Sequence, residues 1–174
     1  MQQYLLSFLI LIALILSSCT PSEIPIEPAS QLKTVTLDST VKIIAGKTVY
    51  VPVYSHIYTW QRNQTMDLTA TLSIRNTDLN NPIIITSVNY YDSNGKLVRK
   101  YLKQSVELSP LAAIDFVINQ EDTTGGVGAS FIVDWVTQKP VSEPVIEAVM
   151  INVGGNQGVS LLSPGRVIKS RGSK

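Results

Sequence analysis

Two residues of this 174-residue chain carry reactive side chains and occur once each, Cys19 and His56. Any Ser-His-Asp set would have to use His56, and no Gly-x-Ser-x-Gly elbow exists to present a serine. Zinc takes three or four Cys, His or carboxylate ligands, so one histidine among scattered acids points away from a metal site. Glu121, Asp122, Thr123 and Thr124 offer oxygens for calcium, but the Asp-x-Asp-x-Asp-Gly spacing is missing. Glycoside hydrolysis needs two carboxyl groups, which distant strands can supply. Asp115, Asp134, Glu143 and Glu147 are available, and we read them as surface or loop-end acids. Gly125-Gly126-Val127-Gly128 is followed by neither a helix nor Lys-Ser/Thr, so it reads as a loop and not a phosphate cradle. The expectation is therefore no catalytic residue, no metal and no cofactor.

The histidine lies in the most distinctive segment, Val49-Tyr50-Val51-Pro52-Val53-Tyr54-Ser55-His56-Ile57-Tyr58. In an extended chain Val49, Val51, Val53, Ser55 and Ile57 fall on one face, and Tyr50, Pro52, Tyr54, His56 and Tyr58 on the other. Pro52 cannot donate to a ladder, which predicts an edge or bulged strand. Tyr50, Tyr54, His56 and Tyr58 are the candidate binding residues. Aromatic rings beside an imidazole suit a sugar ring or a peptide. The plainer reading is that the tyrosines cover a sheet and His56 makes a structural hydrogen bond.

Cys19 has a different setting. Leu5–Leu16 is apolar apart from Ser7, and Leu16-Ser17-Ser18-Cys19 closes it. The run has the length of a signal-peptide hydrophobic region and is too short for a bilayer span of about 20 residues. This closure resembles the lipobox of bacterial lipoproteins, which implies a diacylglyceryl group on the thiol and cleavage before Cys19. Two acyl chains at one residue meet the requirement of two signals for stable anchoring. A free thiol, an ordinary signal peptide and an uncleaved anchor are the alternatives. Met1-Gln2-Gln3-Tyr4 lacks the usual Lys or Arg. A lone cysteine allows no intramolecular disulfide, and lipidation would remove the leftover thiol. Thr20 stands where Asp would signal inner-membrane retention, which leans towards the outer membrane.

The elements that must position these residues are strands. Residues 19–31, with Pro21, Pro25 and Pro28, form an extended tether after the 1–18 leader. From Lys33 the hydrophobic period is two. Leu68, Ala70, Leu72 and Ile74 alternate with polar neighbours. Ile83–Tyr91 is β-rich, and Asn94-Gly95 marks a hairpin to Lys96–Leu102. Ile114, Phe116 and Ile118 share a face, as do Phe131, Val133 and Trp135. Val145–Val153 and Val159–Ser163 complete the pattern. Short strands with regular turn signals predict an all-β fold, a single immunoglobulin-like β-sandwich over 32–168. Residues 169–174 read as a solvated basic tail. The net charge of +1 gives no sign of nucleic acid.

The chain resembles the bacterial domain of unknown function numbered 3124. The resemblance rests on Tyr50–Tyr58, Leu72–Asp78, Tyr90-Tyr91-Asp92, Gly125-Gly126 through Phe131, Pro144–Met150, Gln157-Gly158 and Gly165-Arg166. It covers about Val49 to Ile168. It implies an exported or lipid-anchored bacterial protein and, with no established activity, no catalytic residues. Polar residues are usual in that family at the positions of Val127 and Ser130. Val127 departs from this, against a ligand-gripping loop. The function expected is a non-enzymatic binding or assembly module in the cell envelope, facing the periplasm. Its partners are the membrane through Cys19 and an envelope protein or glycan. The alternatives are a carboxylate enzyme acting on cell-wall glycan and an accessory subunit of a membrane complex. Replacing Cys19 by Ser should abolish lipid labelling and leave the precursor uncleaved. Normal maturation of that variant would refute the lipobox reading.

Overall fold

The computed structural model describes residues 32–38, 40–154 and 158–172. The leader, Cys19 and the 19–31 tether lie outside the described residues. Thirteen strands follow in order: β1 Thr34–Val35, β2 Ala45–Val53, β3 His56–Tyr58, β4 Thr65–Asp67, β5 Thr69–Arg75, β6 Ile83–Tyr91 and β7 Leu97–Lys100, then β8 Ser105–Leu108, β9 Ala113–Ile118, β10 Ala129–Thr137, β11 Val145–Asn152, β12 Val159–Pro164 and β13 Arg166–Arg171. Among the described residues no helix is long and apolar enough to cross a membrane.

The strands form a sandwich. One sheet runs β1-β8-β6-β10-β2-β13, with β7 on the same edge of β6 as β8; the other runs β12-β11-β5-β9. The period-two pattern produces the core. Val49, Val51, Val53, Ile83, Ile85, Val88, Tyr90, Phe131, Val133 and Trp135 come from the larger sheet. Ala70, Leu72, Ile74, Ile114, Phe116, Ile118, Ile146, Ala148 and Met150 face them from the smaller one. Shifting any of these strands by one residue would turn its apolar set to water, so burial fixes the register. Trp135 is buried as its pattern predicts, and its Nε1 has no hydrogen-bond partner. The Asn94-Gly95 hairpin forms with Gly95 at φ 75. Asp92 Oδ1 accepts from the amides of Asn94 at 2.9 Å and Lys96 at 2.8 Å.

Two expectations need correction. First, β2 is an interior strand, flanked by β10 and β13. Pro52 is tolerated because β13 pairs β2 only from Tyr50 to Gly46, leaving one neighbour at the proline. Second, the basic tail is a strand as far as Arg171. Its residues are all exposed, as a solvated terminus would be, yet β13 is laddered to β2. Lys and Arg on such an edge discourage pairing with another chain.

Every sheet neighbour is antiparallel, so the connections collect at two ends. Ala45 faces Thr137, and Ile84 faces Val136 and Glu107. This base end holds the 76–82, 109–112 and 138–144 connections. The chain enters there, because Glu107 N donates to Lys33 O at 2.9 Å. The opposite end, where Val53 faces Ala129 and Ser130 faces Tyr91, holds the β3–β4 hairpin, the 92–96 turn and the 119–128 loop.

Two buried polar residues knit the base. Asn76 Nδ2 donates towards the carbonyls of Asn81, Leu108 and Ser109 at 2.9–3.1 Å. Asp78 accepts the amides of Asn80, Ser142 and Asn81 at 2.8–2.9 Å, and these bonds hold its carboxyl below the ordinary value. With a lowered native pKa, stability is full above the ordinary carboxylate value near 4 and is lost as pH falls through the native value. Asp78→Asn should therefore be less stable than wild type at neutral pH. In denaturant titrations the gap should close as pH falls from neutrality through the carboxylate range. A gap that stays constant over that range would contradict the role given to this carboxylate.

Candidate functional site

The aromatic segment is divided by Ser55. β2 ends at Val53, and Ser55 is completely buried. Ser55 N donates to Gly126 O at 3.1 Å, and Leu68 N donates to Ser55 O at 2.9 Å. Ser55 Oγ lies 3.2 Å from Thr123 O, 3.1 Å from Gly126 O and 3.3 Å from His56 Nδ1. Its single proton serves the two carbonyls, and the direction of the His56 Nδ1 contact depends on the imidazole tautomer. Because these partners capture Ser55, the chain leaves the large sheet. It then forms a two-stranded ribbon of β3 and β4, with His56 opposite Asp67 and Tyr58 opposite Thr65.

Alternation of burial survives the break. Ile57 and Met66 are partly buried against the core, which seats the ribbon. The neighbouring positions face outward. Tyr54 at the root is 40% exposed and Tyr58 is 48% exposed. His56 and Tyr58 meet edge to face with centroids 6.3 Å apart. Tyr50 is separate from this group. It is half-buried on the outer face of the large sheet, in register between Ile132 and Arg166. The four expected residues therefore do not line one strand: Tyr54, His56 and Tyr58 belong to the ribbon and Tyr50 does not.

The structure adds Trp60, which the sequence reading overlooked. It sits in the β3–β4 connection, closed by Thr59 N donating to Gln64 O at 3.0 Å and Gln64 N to Gln61 O at 2.9 Å. Its side chain is 91% exposed. The available signal was a tryptophan inside the polar run Thr59–Thr65, outside any alternating pattern. A ring so exposed wastes apolar area unless something covers it. Gln61, Arg62, Asn63 and Gln64 surround it with donors, and Tyr54–Met66 contains no Asp or Glu.

Beside the ribbon stands the 119–128 loop, which braces the hairpin. Ser93 N donates to Gly125 O at 2.9 Å, and Gly128 N donates to Ser93 Oγ at 2.9 Å. Arg99 Nη2 bridges Asp122 Oδ2 at 2.7 Å, and Arg99 Nη1 donates to the Tyr101 hydroxyl at 3.0 Å. Burial pulls the Asp122 pKa up, but the bonds from Thr124 and Arg99 outweigh it and hold the carboxylate below its ordinary value. A side chain at Gly125 would collide with the Tyr90 hydroxyl and Ala129. The glycines thus serve close packing. The Tyr90 hydroxyl is buried without a well-formed hydrogen bond. Its pKa is pushed up to about 12, first by burial and then by the Asp122 charge.

The acids weighed for hydrolysis fall on more than one surface. Asp134, on the outer face of the large sheet, accepts from the hydroxyls of Thr48 and Ser87. Glu143 pairs with Lys47 at 2.7 Å and Glu147 with Arg75 at 3.4 Å. Asp115 and Glu147 occupy β9 and β11, on either side of Ser73 of β5. Among the described residues no group of three or more His, Cys, Asp or Glu is placed to hold a metal.

No curated protein matches the chain. A solved structure titled "Crystal Structure of Thermotoga maritima 1070" is similar at 16% identity and a TM-score of 0.41, over 69% of this chain and 92% of that one. A family model described as "Protein of unknown function (DUF3124)" matches residues 46–168. That span runs from the second residue of β2 into β13 and takes in the smaller sheet, all of the larger one but β1 and the end of β13, the aromatic ribbon and the loop that braces it, so the chain belongs to this family of proteins of unknown function.

Proposed function

We propose that the protein is a non-enzymatic binding module of the bacterial cell envelope, held on a membrane by lipidated Cys19, whose aromatic ribbon engages cell-wall glycan. The observation that carries this reading is Trp60, exposed at the tip of a ribbon whose base is hydrogen-bonded into the core. A ring carried on a hydrogen-bonded turn presents a large apolar face on which a sugar can stack. The amide and guanidinium groups of Gln61, Arg62, Asn63 and Gln64 can meet sugar hydroxyls and carboxylates. The absence of acids from Tyr54 to Met66 suits a neutral or anionic polymer. Placement at the end opposite chain entry turns the ribbon away from an anchor at Cys19.

The enzymatic alternative finds less support. Three of its four acids are engaged by lysine, arginine or hydroxyl donors, on separate surfaces.

Sedimentation with purified cell-wall sacculi tests the proposal. Trp60→Ala and Tyr58→Ala should each weaken binding about tenfold, equivalent to about 1.4 kcal/mol. Trp60 is almost wholly solvent-facing and Tyr58 about half so, and neither belongs to the core, so the thermal midpoint should change little. Recovery unchanged by both substitutions would reject the ribbon as the binding surface.

A further inference from the structure

The base end has a surface of its own. Leu79 is 72% exposed and Leu111 is 66% exposed. They project from adjacent loops, joined where Leu111 N donates to Asp78 O at 3.2 Å. Leu111 has φ 58, and it is the non-glycine with positive φ among the described residues. A bulky residue in this region is disfavoured, and such conformations persist where the surroundings enforce them. Here the Asp78–Leu111 bond and the Asn76 amide, which reaches Ser109 O at 3.0 Å, pin the loop on both sides. The strain therefore holds a leucine in water.

The charges at this end have a definite sign. Lys33 and Lys47 are taken by Glu107 and Glu143. Asp78 is buried and spends its oxygens on backbone amides. Lys42 and Lys139 are exposed in the connections next to β2 and β10, and Arg171 is exposed opposite Gly46. Asp38 is a further exposed acid, in the chain leading to β2, and Thr40 engages it through its amide and hydroxyl. The five cations named here outnumber the acids Asp38, Asp78, Glu107 and Glu143 by one, beside two projecting leucines.

This is the end at which the chain enters. Residues 19–31 join Cys19 to Leu32, and even a fully extended segment of that length reaches at most roughly 45 Å. A lipid on Cys19 would keep these loops within that distance of a bilayer. We infer that the base docks on that bilayer. Leu79 and Leu111 enter the interfacial layer, and Lys42, Lys139 and Arg171 meet anionic headgroups. Apolar tips flanked by cations suit that boundary, which rewards buried apolar area and electrostatic attraction together. The inference rests on the reading of Cys19 as the anchor, but its surface can be measured without the lipid.

The test uses the chain from residue 19 with Cys19→Ser, mixed with vesicles of phosphatidylcholine alone or with about one third phosphatidylglycerol. We expect partition onto the anionic vesicles, weakened by salt. The double variant Leu79→Ser, Leu111→Gly should lower partition roughly tenfold. Glycine suits φ 58, so Leu111→Gly alone should keep or raise the melting midpoint, which separates lost docking from lost folding. No partition onto anionic vesicles would overturn the inference, as would partition indifferent to the leucines. Loss on Trp60→Ala with the leucine variants still bound would overturn it too, by moving the contact to the ribbon. Lipid labelling at Cys19 reads the anchor separately, so its failure is distinguishable from failure here.

Discussion

Antiparallel pairing of β2, β6 and β10 decides where every other part of this protein can be. Those three strands are the long central members of the large sheet, each nine residues long. Their inward rows meet the smaller sheet, and burial of those rows fixes the register. Once the register is set, most connections fall at one end or the other. Chain entry, Leu79, Leu111 and the cations fall at the base. Tyr54, His56, Tyr58 and Trp60 fall at the opposite end. The separation of two surfaces follows from strand pairing before any surface side chain is chosen.

Each end is then held by a buried polar residue that serves several backbone groups. Ser55 satisfies the 119–128 loop and starts the ribbon. Asn76 and Asp78 satisfy three loops at the base. A buried polar group deprived of its partners costs about 1–3 kcal/mol, so these contacts specify loop positions more sharply than apolar packing does. This is why exposed rings and exposed leucines can stand on connections without those connections being loose. The Tyr90 hydroxyl and the Trp135 indole N–H are the buried groups that go without. Both sit in the core, where ring area outweighs one missing hydrogen bond.

The sheets were legible in the sequence because burial writes itself with period two. Leu68 to Ile74, Ile114 to Ile118 and Phe131 to Trp135 alternate as half-buried strands must, and Asn94-Gly95 marks its own turn. The break at Ser55 was not legible. Its causes, Thr123 and Gly126, lie some seventy residues away in the chain, and a serine at an inward position of an alternating run looks like part of the strand. β13 was hidden for the opposite reason. An exposed edge strand needs no apolar alternation, so Lys169–Arg171 read as a tail. Trp60 and Leu111 escaped notice because local patterns show which residues can be buried, and both matter by being exposed.

The two ends of the sandwich thus offer two separate surfaces, and we propose one for a membrane that holds the anchor and one for a partner beyond it. Emission of Trp60 in the lipidated protein on vesicles tests this division most directly, since Trp135 is buried and responds little to soluble quenchers. The account predicts that iodide in the surrounding water quenches Trp60 while brominated acyl chains leave it unaffected. Strong quenching by the brominated lipid, with protection from iodide, would place the aromatic ribbon in the bilayer and contradict the account.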